Sequence, residues 1–100
     1  MMLNILFAYG TLQYPETQYA VFGRVTQTTP DILDGFVKEQ IFLGDNYYPI
    51  IRQNPQTFVV GGRMQVTPEE LVLIDHYETS AYRRIKVTLR SGLSAWVYCE

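Results

Sequence analysis

Glu78 stands where this sequence could place a reactive carboxylate at the edge of a pocket. It falls at the predicted end of a helix, just before a predicted strand that begins Tyr82-Arg83-Arg84. Side chains at such junctions can face a pocket, where a carboxylate can act as a general acid or base. The alternative is a solvated acid that opposes the helix dipole, at a cost of about 0.3–1 kcal/mol, and is offset by Arg83 or Arg84. Sequence position alone does not choose between them.

The four residues Tyr9, Gly10, Thr11 and Leu12 form the second candidate group. An apolar strand that runs into Gly10 would leave backbone N–H groups and the Thr11 hydroxyl at the end of the strand. Glycine also lets the backbone approach a ligand closely, so we expect Gly10 to be needed for its missing Cβ or its unusual backbone conformation. Such a turn can bind a carboxylate or an oxyanion. The alternative is an ordinary tight exit from the strand.

Cys99 and His76, the single cysteine and the single histidine, do not predict a nucleophilic pair. A catalytic cysteine needs a nearby histidine and an electropositive setting. Cys99 is next to the last residue, and His76 is expected on the polar side of its helix. With so few candidate ligands, an ordinary zinc site is also excluded. We therefore predict no metal site.

Short apolar segments separated by turn residues predict a sheet that could position these groups. The first segment, residues 5–9, lies between Asn4 and Gly10, as expected of a buried strand that ends in a turn. Further segments rich in Val, Ile, Phe, Tyr and Thr are residues 20–27, 35–43, 47–52, 57–66, 82–89 and 94–99. About seven strands in 100 residues favour a closed or nearly closed sheet, since closure removes exposed edges. We infer a small β-barrel.

One helix carries strong start signals. Thr67 can act as its N-cap, Pro68 stands at the first helical position, and Glu70 completes a capping box. We expect this helix to run to about Tyr77, and a weaker helical or irregular turn to cover residues 15–18. The residues that share the apolar stripe of the main helix are Leu71, Ile74 and Tyr77.

Composition is that of one small globular domain over residues 1–100, with 47% hydrophobic and 18% charged residues. Eight Lys and Arg against ten Asp and Glu give a net charge of −2, which offers no cationic excess for nucleic acid. The longest apolar run, residues 5–9, is far shorter than the about 20 residues of a membrane span. The single cysteine and the absence of a basic N-terminal region fit a reducing, cytoplasmic setting. We expect neither nucleic acid nor a membrane as partner.

Several short motifs occur in one order along nearly the whole chain, and the ordered set is more specific than any one motif. In chain order they are Tyr9-Gly10-Thr11-Leu12, Phe22-Gly23-Arg24, Leu33-Asp34-Gly35-Phe36, Tyr48-Pro49, Val60-Gly61-Gly62, Thr67-Pro68-Glu69-Glu70-Leu71, Ile74-Asp75-His76-Tyr77-Glu78, Tyr82-Arg83-Arg84 and Val97-Tyr98. This set resembles the gamma-glutamyl cyclotransferase-like family, also called the AIG2-like family. The resemblance implies an α+β fold, a small mixed β-barrel of about six or seven strands with one or two flanking helices, and a pocket at one side.

The resemblance also implies a reaction, the release of 5-oxoproline from a small gamma-glutamyl amide, peptide or isopeptide without a cofactor. In that reaction Glu78 would act as general acid and base, and the turn of residues 9–12 would supply backbone donors to the gamma-glutamyl part of the substrate. The residues expected as pocket walls and supports are Tyr48, Pro49, Tyr82 and Arg84. Two alternatives remain open at this point: a domain that binds a small carboxylate or amine metabolite in the same pocket, and a structural or interaction domain that uses exposed tyrosines.

The implied role of Glu78 requires a shifted pKa. An ordinary Glu side chain, with a pKa of about 4.3, is a poor base for an ammonium group. Partial burial against Tyr48, Tyr77 and Tyr82 would raise the pKa of Glu78. A direct ion pair with Arg84 would oppose that rise.

Overall fold

A mixed five-stranded sheet carries two α-helices in the computed structural model of this protein, which describes residues 3–100. The strands are β1 (Asn4–Ala8), β2 (Thr29–Leu43), β3 (Asn46–Val66), β4 (Arg83–Thr88) and β5 (Ser94–Cys99), and the helices are α1 (Pro15–Phe22) and α2 (Pro68–Glu78). A single 3₁₀ turn, Thr11–Gln13, follows β1. The strand order is β2-β3-β1-β5-β4, and only the β1–β5 pair of the described sheet is parallel.

The two outer strands of the sheet, β2 and β4, approach each other at one end. Directly after β4, the backbone N–H of Arg90 donates to the carbonyl of Ile32 in β2 at 2.8 Å. The Ser91 hydroxyl donates to Asp31 of β2 at 2.6 Å. The sheet of residues 3–100 is thus a curled half-barrel, since β2 and β4 make these contacts but do not pair in a ladder that would close it.

The expected number of strands, six or seven, was wrong, since the sheet of residues 3–100 has five. Residues 47–52 and 57–66, predicted as two strands, lie in one strand, β3. The register of β3 with β2 jumps opposite Gly35, so that residues 54–57 bulge out of the ladder. Pro55 is tolerated there because a bulged residue needs no N–H for the ladder.

Residues 20–27 were also predicted as a strand, and this prediction was wrong. Residues 20–22 complete α1, and the following segment has no regular structure. Pro15 at the first helical position starts α1, and Gly23, with a φ of 72°, ends it in the left-handed conformation that glycine favours. These end signals outweigh the strand propensity of residues 20–22, and the weak turn expected over residues 15–18 is a full helix.

The capping box of α2 is confirmed. The Thr67 hydroxyl accepts from the N–H of Glu70 at 3.1 Å, and the Glu70 carboxylate accepts from the N–H of Thr67 at 2.9 Å. The helix ends at Glu78, one residue beyond the predicted end. Of its predicted apolar stripe, Leu71 and Ile74 are buried, whereas the Tyr77 side chain is 44% exposed.

Alternate residues of β1 enter two separate core clusters, because successive side chains of a strand point to opposite faces. Phe7 packs inside the half-barrel with residues of β2, β3 and β5. Leu6 and Ala8 pack on the other face, against the helices. The end of β1 therefore lies between both clusters, where the chain turns into the 3₁₀ segment. Over residues 3–100, no helix has the length and apolar character needed to cross a membrane.

Candidate active site

A cavity of about 640 Å³ opens at the end of β1. Its walls come from the turn after β1, the last turn of α2 and the tip of the β2–β3 hairpin. The polar, aromatic and glycine or proline residues that line it are Phe7, Tyr9, Gly10, Thr11, Gly44, Tyr48, Pro49, Tyr77, Glu78, Thr79, Tyr82 and Tyr98. Leu12 lines it as well. The cavity thus brings together all the site residues predicted from the sequence except Arg84.

Glu78 is the only residue with a charged side chain among the described residues that line this cavity. It is the last residue of α2, and its side chain is partly buried. Burial raises the pKa of Glu78 from 4.5 to about 7. This is the direction of change that the aromatic surroundings predict. A carboxyl group with such a pKa can give and take a proton near neutral pH.

Neither arginine after α2 pairs with Glu78. Arg83 donates to the carbonyl of Glu100 at 2.8 Å. Arg84 binds both carboxylate oxygens of Asp75, at 3.0 and 3.1 Å. Within residues 3–100, no Lys, Arg or His nitrogen lies within 4.0 Å of the Glu78 carboxylate. The alternative of a surface acid offset by Arg83 or Arg84 therefore does not describe this side chain.

Arg84 lies outside the main cavity, which differs from its expected place in the substrate pocket. It lines a neighbouring cavity of about 520 Å³, and its guanidinium lies 4.3 Å from the centre of the Trp96 ring. Its partner Asp75 also accepts from the Tyr98 hydroxyl at 2.5 Å. Burial alone would raise the pKa of Asp75, but these hydrogen bonds hold that pKa below its ordinary value. The pKa values of Asp75 and Glu78, which are three residues apart, are thus shifted in opposite directions.

Tyrosine side chains form much of the cavity wall and are tied to backbone carbonyls. The Tyr82 hydroxyl donates to the carbonyl of Pro49 at 2.6 Å, which connects the segment after α2 to the β2–β3 hairpin. The Tyr9 hydroxyl donates to the carbonyl of Tyr98 at 2.6 Å. Burial, reinforced by the nearby Glu78, raises the pKa of Tyr82 to about 12 and raises that of Tyr9 further. These phenols are therefore neutral around Glu78.

The turn after β1, which lines the cavity, carries backbone donors. Within the described part of the chain, the N–H groups of Thr11 and Leu12 donate to no acceptor. The hydroxyls of Thr11 and Tyr77 lie 2.8 Å apart and connect the turn to the end of α2. Gly10 has a φ of −123°, which lies outside the left-handed region that favours glycine. Space is the constraint instead, because a Cβ at Gly10 would lie 3.2 Å from Cγ of Pro49.

Two parts of the cavity wall were not singled out from the sequence. Thr79 follows α2 with a φ of 65°, the only positive φ outside glycine among residues 3–100. The sequence indicates this strain only weakly. The signal is a residue other than glycine just after the helix, with a predicted strand soon after it. Leu43 and Gly44 reach the cavity because β2 pairs with β3. No local motif in the sequence predicts this pairing.

A family model described as gamma-glutamyl cyclotransferase, AIG2-like, matches residues 6–100 of this chain. The chain belongs to that family. AIG2-like protein C of Arabidopsis thaliana is 34% identical to this AIG2-like chain over 80 residues, which are 79% of this chain and 45% of the relative. The chain therefore spans less than half the length of that curated relative. The resemblance inferred from the ordered motifs is confirmed.

Solved structures share the fold of this AIG2-like chain at low sequence identity. A solution structure from Arabidopsis thaliana superposes with a TM-score of 0.85 at 23% identity, over 99% of this chain and 62% of the other. A structure of a gamma-glutamyl cyclotransferase superposes with a TM-score of 0.78 at 17% identity, over 98% of this chain and 66% of the other. The α+β half-barrel with two helices is thus the fold of the family. At these identities the comparisons concern the fold alone.

Proposed function

We propose that this AIG2-like chain is a gamma-glutamyl cyclotransferase that releases 5-oxoproline from a small gamma-glutamyl amide, peptide or isopeptide. Glu78 acts as the general acid and base. The observation that carries the proposal is a partly buried carboxylate, with a pKa raised to about 7, in a cavity whose described walls hold no cation. Family membership supports the reaction class.

The proposed reaction is intramolecular. The α-amine of the gamma-glutamyl group attacks its own gamma-carbonyl carbon, so that a C–N bond forms and a five-membered ring closes. The Glu78 carboxylate takes the proton that the attacking ammonium group must lose. It then gives this proton to the leaving amine as the original amide C–N bond breaks, and the attacking nitrogen loses its second proton to solvent. The products are 5-oxoproline and the free amine, and no cofactor takes part.

The raised pKa of Glu78 reduces the cost of the first proton transfer. For an α-ammonium with a pKa of about 8–9, transfer to an ordinary Glu at about 4.3 is unfavourable by roughly 5–7 kcal/mol. With the pKa of Glu78 at about 7, the same transfer is unfavourable by only about 1–3 kcal/mol. Burial alone, without a further charged group, therefore supplies a useful part of the barrier reduction.

The turn of residues 10–12 supplies donors for the gamma-glutamyl part of the substrate. The N–H groups of Thr11 and Leu12 have no acceptor within the described chain, so they can bind an anionic oxygen without first breaking a protein hydrogen bond. One such fixed donor aimed at an oxyanion is commonly worth about 3–4 kcal/mol. Tyr48, Pro49 and Tyr82 form walls that hold the substrate near Glu78. Arg84 acts from outside by binding Asp75 in the last turn of α2.

The proposal is tested by incubating the protein with a panel of gamma-glutamyl amides, dipeptides and isopeptides and measuring 5-oxoproline by mass spectrometry. We expect at least one compound to give 5-oxoproline and free amine in equal amounts. Binding of 5-oxoproline without turnover of any compound would contradict catalysis. That result would support the alternative of a domain that binds small carboxylates.

A further inference from the structure

Gln18 of α1 is a fully buried amide, with 1% of its surface exposed. Burying an amide is costly unless its polar atoms find partners. An apolar side chain of similar size would fill the same space without that cost. The presence of an amide at this position therefore calls for a reason beyond packing.

Both polar atoms of the Gln18 side chain are hydrogen-bonded. Its Nε2 donates to the carbonyl of Leu12 at 3.0 Å and to the Thr28 hydroxyl at 3.2 Å. Its Oε1 accepts from the backbone N–H of Thr26 at 3.0 Å. The side chain thus joins the turn after β1 to the irregular segment after α1. Within the described chain, Gln18 is the only donor to the carbonyl of Leu12.

The turn of residues 9–12 is fixed through its carbonyl oxygens. Each of the four carbonyls accepts at least one hydrogen bond, and the donors, in the chain order of the carbonyls, are Lys38 Nζ, the backbone N–H and Nε2 of Gln13, Tyr14 N and Gln18 Nε2. Gln13 and Tyr14 directly follow the turn, and Lys38 is an exposed residue of β2. Among these donor residues, only Gln18 is buried. It therefore sets where the turn lies relative to α1.

We propose that Gln18 is a positioning residue for the backbone donors of the turn. The Leu12 carbonyl that Gln18 holds lies in one planar peptide with the N–H of Gln13, and this N–H donates to the carbonyl of Gly10 at 3.2 Å. The Gly10 carbonyl in turn shares a planar peptide with the N–H of Thr11, so the anchor restrains the backbone on both sides of the Thr11–Leu12 peptide. Productive geometry tolerates displacements of only about 0.5 Å, so loosening this anchor lowers activity. The inference rests on the proposed function, since it concerns the turn that holds the gamma-glutamyl group.

The test compares Gln18→Leu with two controls in 5-oxoproline release per folded molecule. Val59→Ala removes buried volume from β3 at a residue that does not line the cavity, and serves as the stability control. Thr28→Val removes a second partner of Gln18 but leaves its bond to Leu12. We expect kcat/KM to fall at least tenfold in Gln18→Leu and to change less than threefold in both controls. An equal kcat/KM in Gln18→Leu and Val59→Ala would overturn the inference.

Gln18→Glu keeps the experiment decisive where Gln18→Leu fails to fold. A protonated Glu at this position can donate to the carbonyl of Leu12 and accept from Thr26, whereas an ionised one cannot donate. We therefore expect its kcat/KM, divided by that of the wild type, to recover at acid pH. A ratio that does not change with pH would count against a role for the bond to Leu12.

A second readout separates this inference from the proposed function. In ¹⁵N-labelled protein without substrate, we expect Gln18→Leu to shift the amide signals of Thr11 and Leu12 by more than Val59→Ala does. Wild-type protein that releases no 5-oxoproline would contradict the proposed function, and the amide signals would still decide the positioning role. Unchanged signals of Thr11 and Leu12 would overturn that role even in an active enzyme.

Discussion

Replacing Glu78 with Gln changes how the stability of this protein depends on pH. The pKa of Glu78 rises from 4.5 to about 7 on folding because burial disfavours the ionised form. Between these two pH values the folded protein keeps a proton that the unfolded chain releases. Stability from this group is thus fully present below pH 4.5 and is lost as the pH rises through 7. Gln cannot ionise and escapes this loss.

The size of the effect follows from the pKa change. At about 1.4 kcal/mol per unit of pKa, a rise from 4.5 to about 7 corresponds to about 3 kcal/mol. We therefore expect the free energy of unfolding of Glu78→Gln, minus that of the wild type, to increase by about 3 kcal/mol between pH 4 and pH 8. Other titrating groups are common to both proteins and cancel in the difference.

Urea denaturation followed by the fluorescence of Trp96, the single tryptophan, measures this difference at several pH values. Glu69→Gln is the matched control, since Glu69 is an exposed residue at the other end of the same helix. We expect Glu69→Gln to follow the wild-type dependence on pH, since Glu69 does not line the cavity. If the curve for Glu78→Gln runs parallel to that of the wild type to within about 1 kcal/mol, burial does not raise the pKa of Glu78 and the reasoning is refuted.

Three further substitutions test the surroundings of Glu78. In Gly10→Ala the added Cβ would lie 3.2 Å from Pro49 Cγ, and we expect a loss of stability of only about 1 kcal/mol in thermal unfolding. We expect 5-oxoproline binding, measured by calorimetry, to weaken at least tenfold. Normal binding by the folded fraction would contradict a turn that holds the ligand. Arg84→Met should destabilise by about 1 kcal/mol at pH 7, because the partly exposed Asp75 loses its partner. This effect should shrink as the pH falls and Asp75 is protonated, leaving only the loss of the Trp96 contact, whereas an effect that does not change with pH would contradict the ion pair. Tyr82→Phe removes the hydrogen bond to the Pro49 carbonyl and should lower the free energy of unfolding in urea by about 1 kcal/mol. An unchanged free energy of unfolding would contradict a stabilising role for this bond.

Features set by neighbouring residues in the chain could be predicted from the sequence. The capping box of α2 depends on Thr67 and Glu70, three residues apart, and the structure reproduces it. The end of β1 shortly before Gly10 also follows from local signals. Glu78 could be placed at the end of α2, and the raised pKa could be anticipated from the tyrosines in the motifs around it.

Features set by long-range pairing could not be predicted. The merging of two predicted strands into β3 depends on a bulge opposite Gly35, which only the ladder with β2 reveals. The partner of Arg84 is a similar case. Both Asp75 and Glu78 are near it in sequence, and only the path of the chain after α2 decides that Arg84 meets Asp75. The sequence did not indicate the role of Gln18, because that role depends on contacts with Leu12 before α1 and with Thr26 and Thr28 after it.

The most direct test of the central claim is 5-oxoproline release by wild-type protein, Glu78→Gln and Glu69→Gln, measured side by side on the best compound of the gamma-glutamyl panel. Glu78→Gln keeps the size and much of the hydrogen bonding of the side chain but removes the proton acceptor. We expect Glu69→Gln to match the wild type within twofold and Glu78→Gln to lose at least about 100-fold in kcat, the low end of what a general acid–base group contributes. A folded Glu78→Gln protein with wild-type turnover would contradict the account.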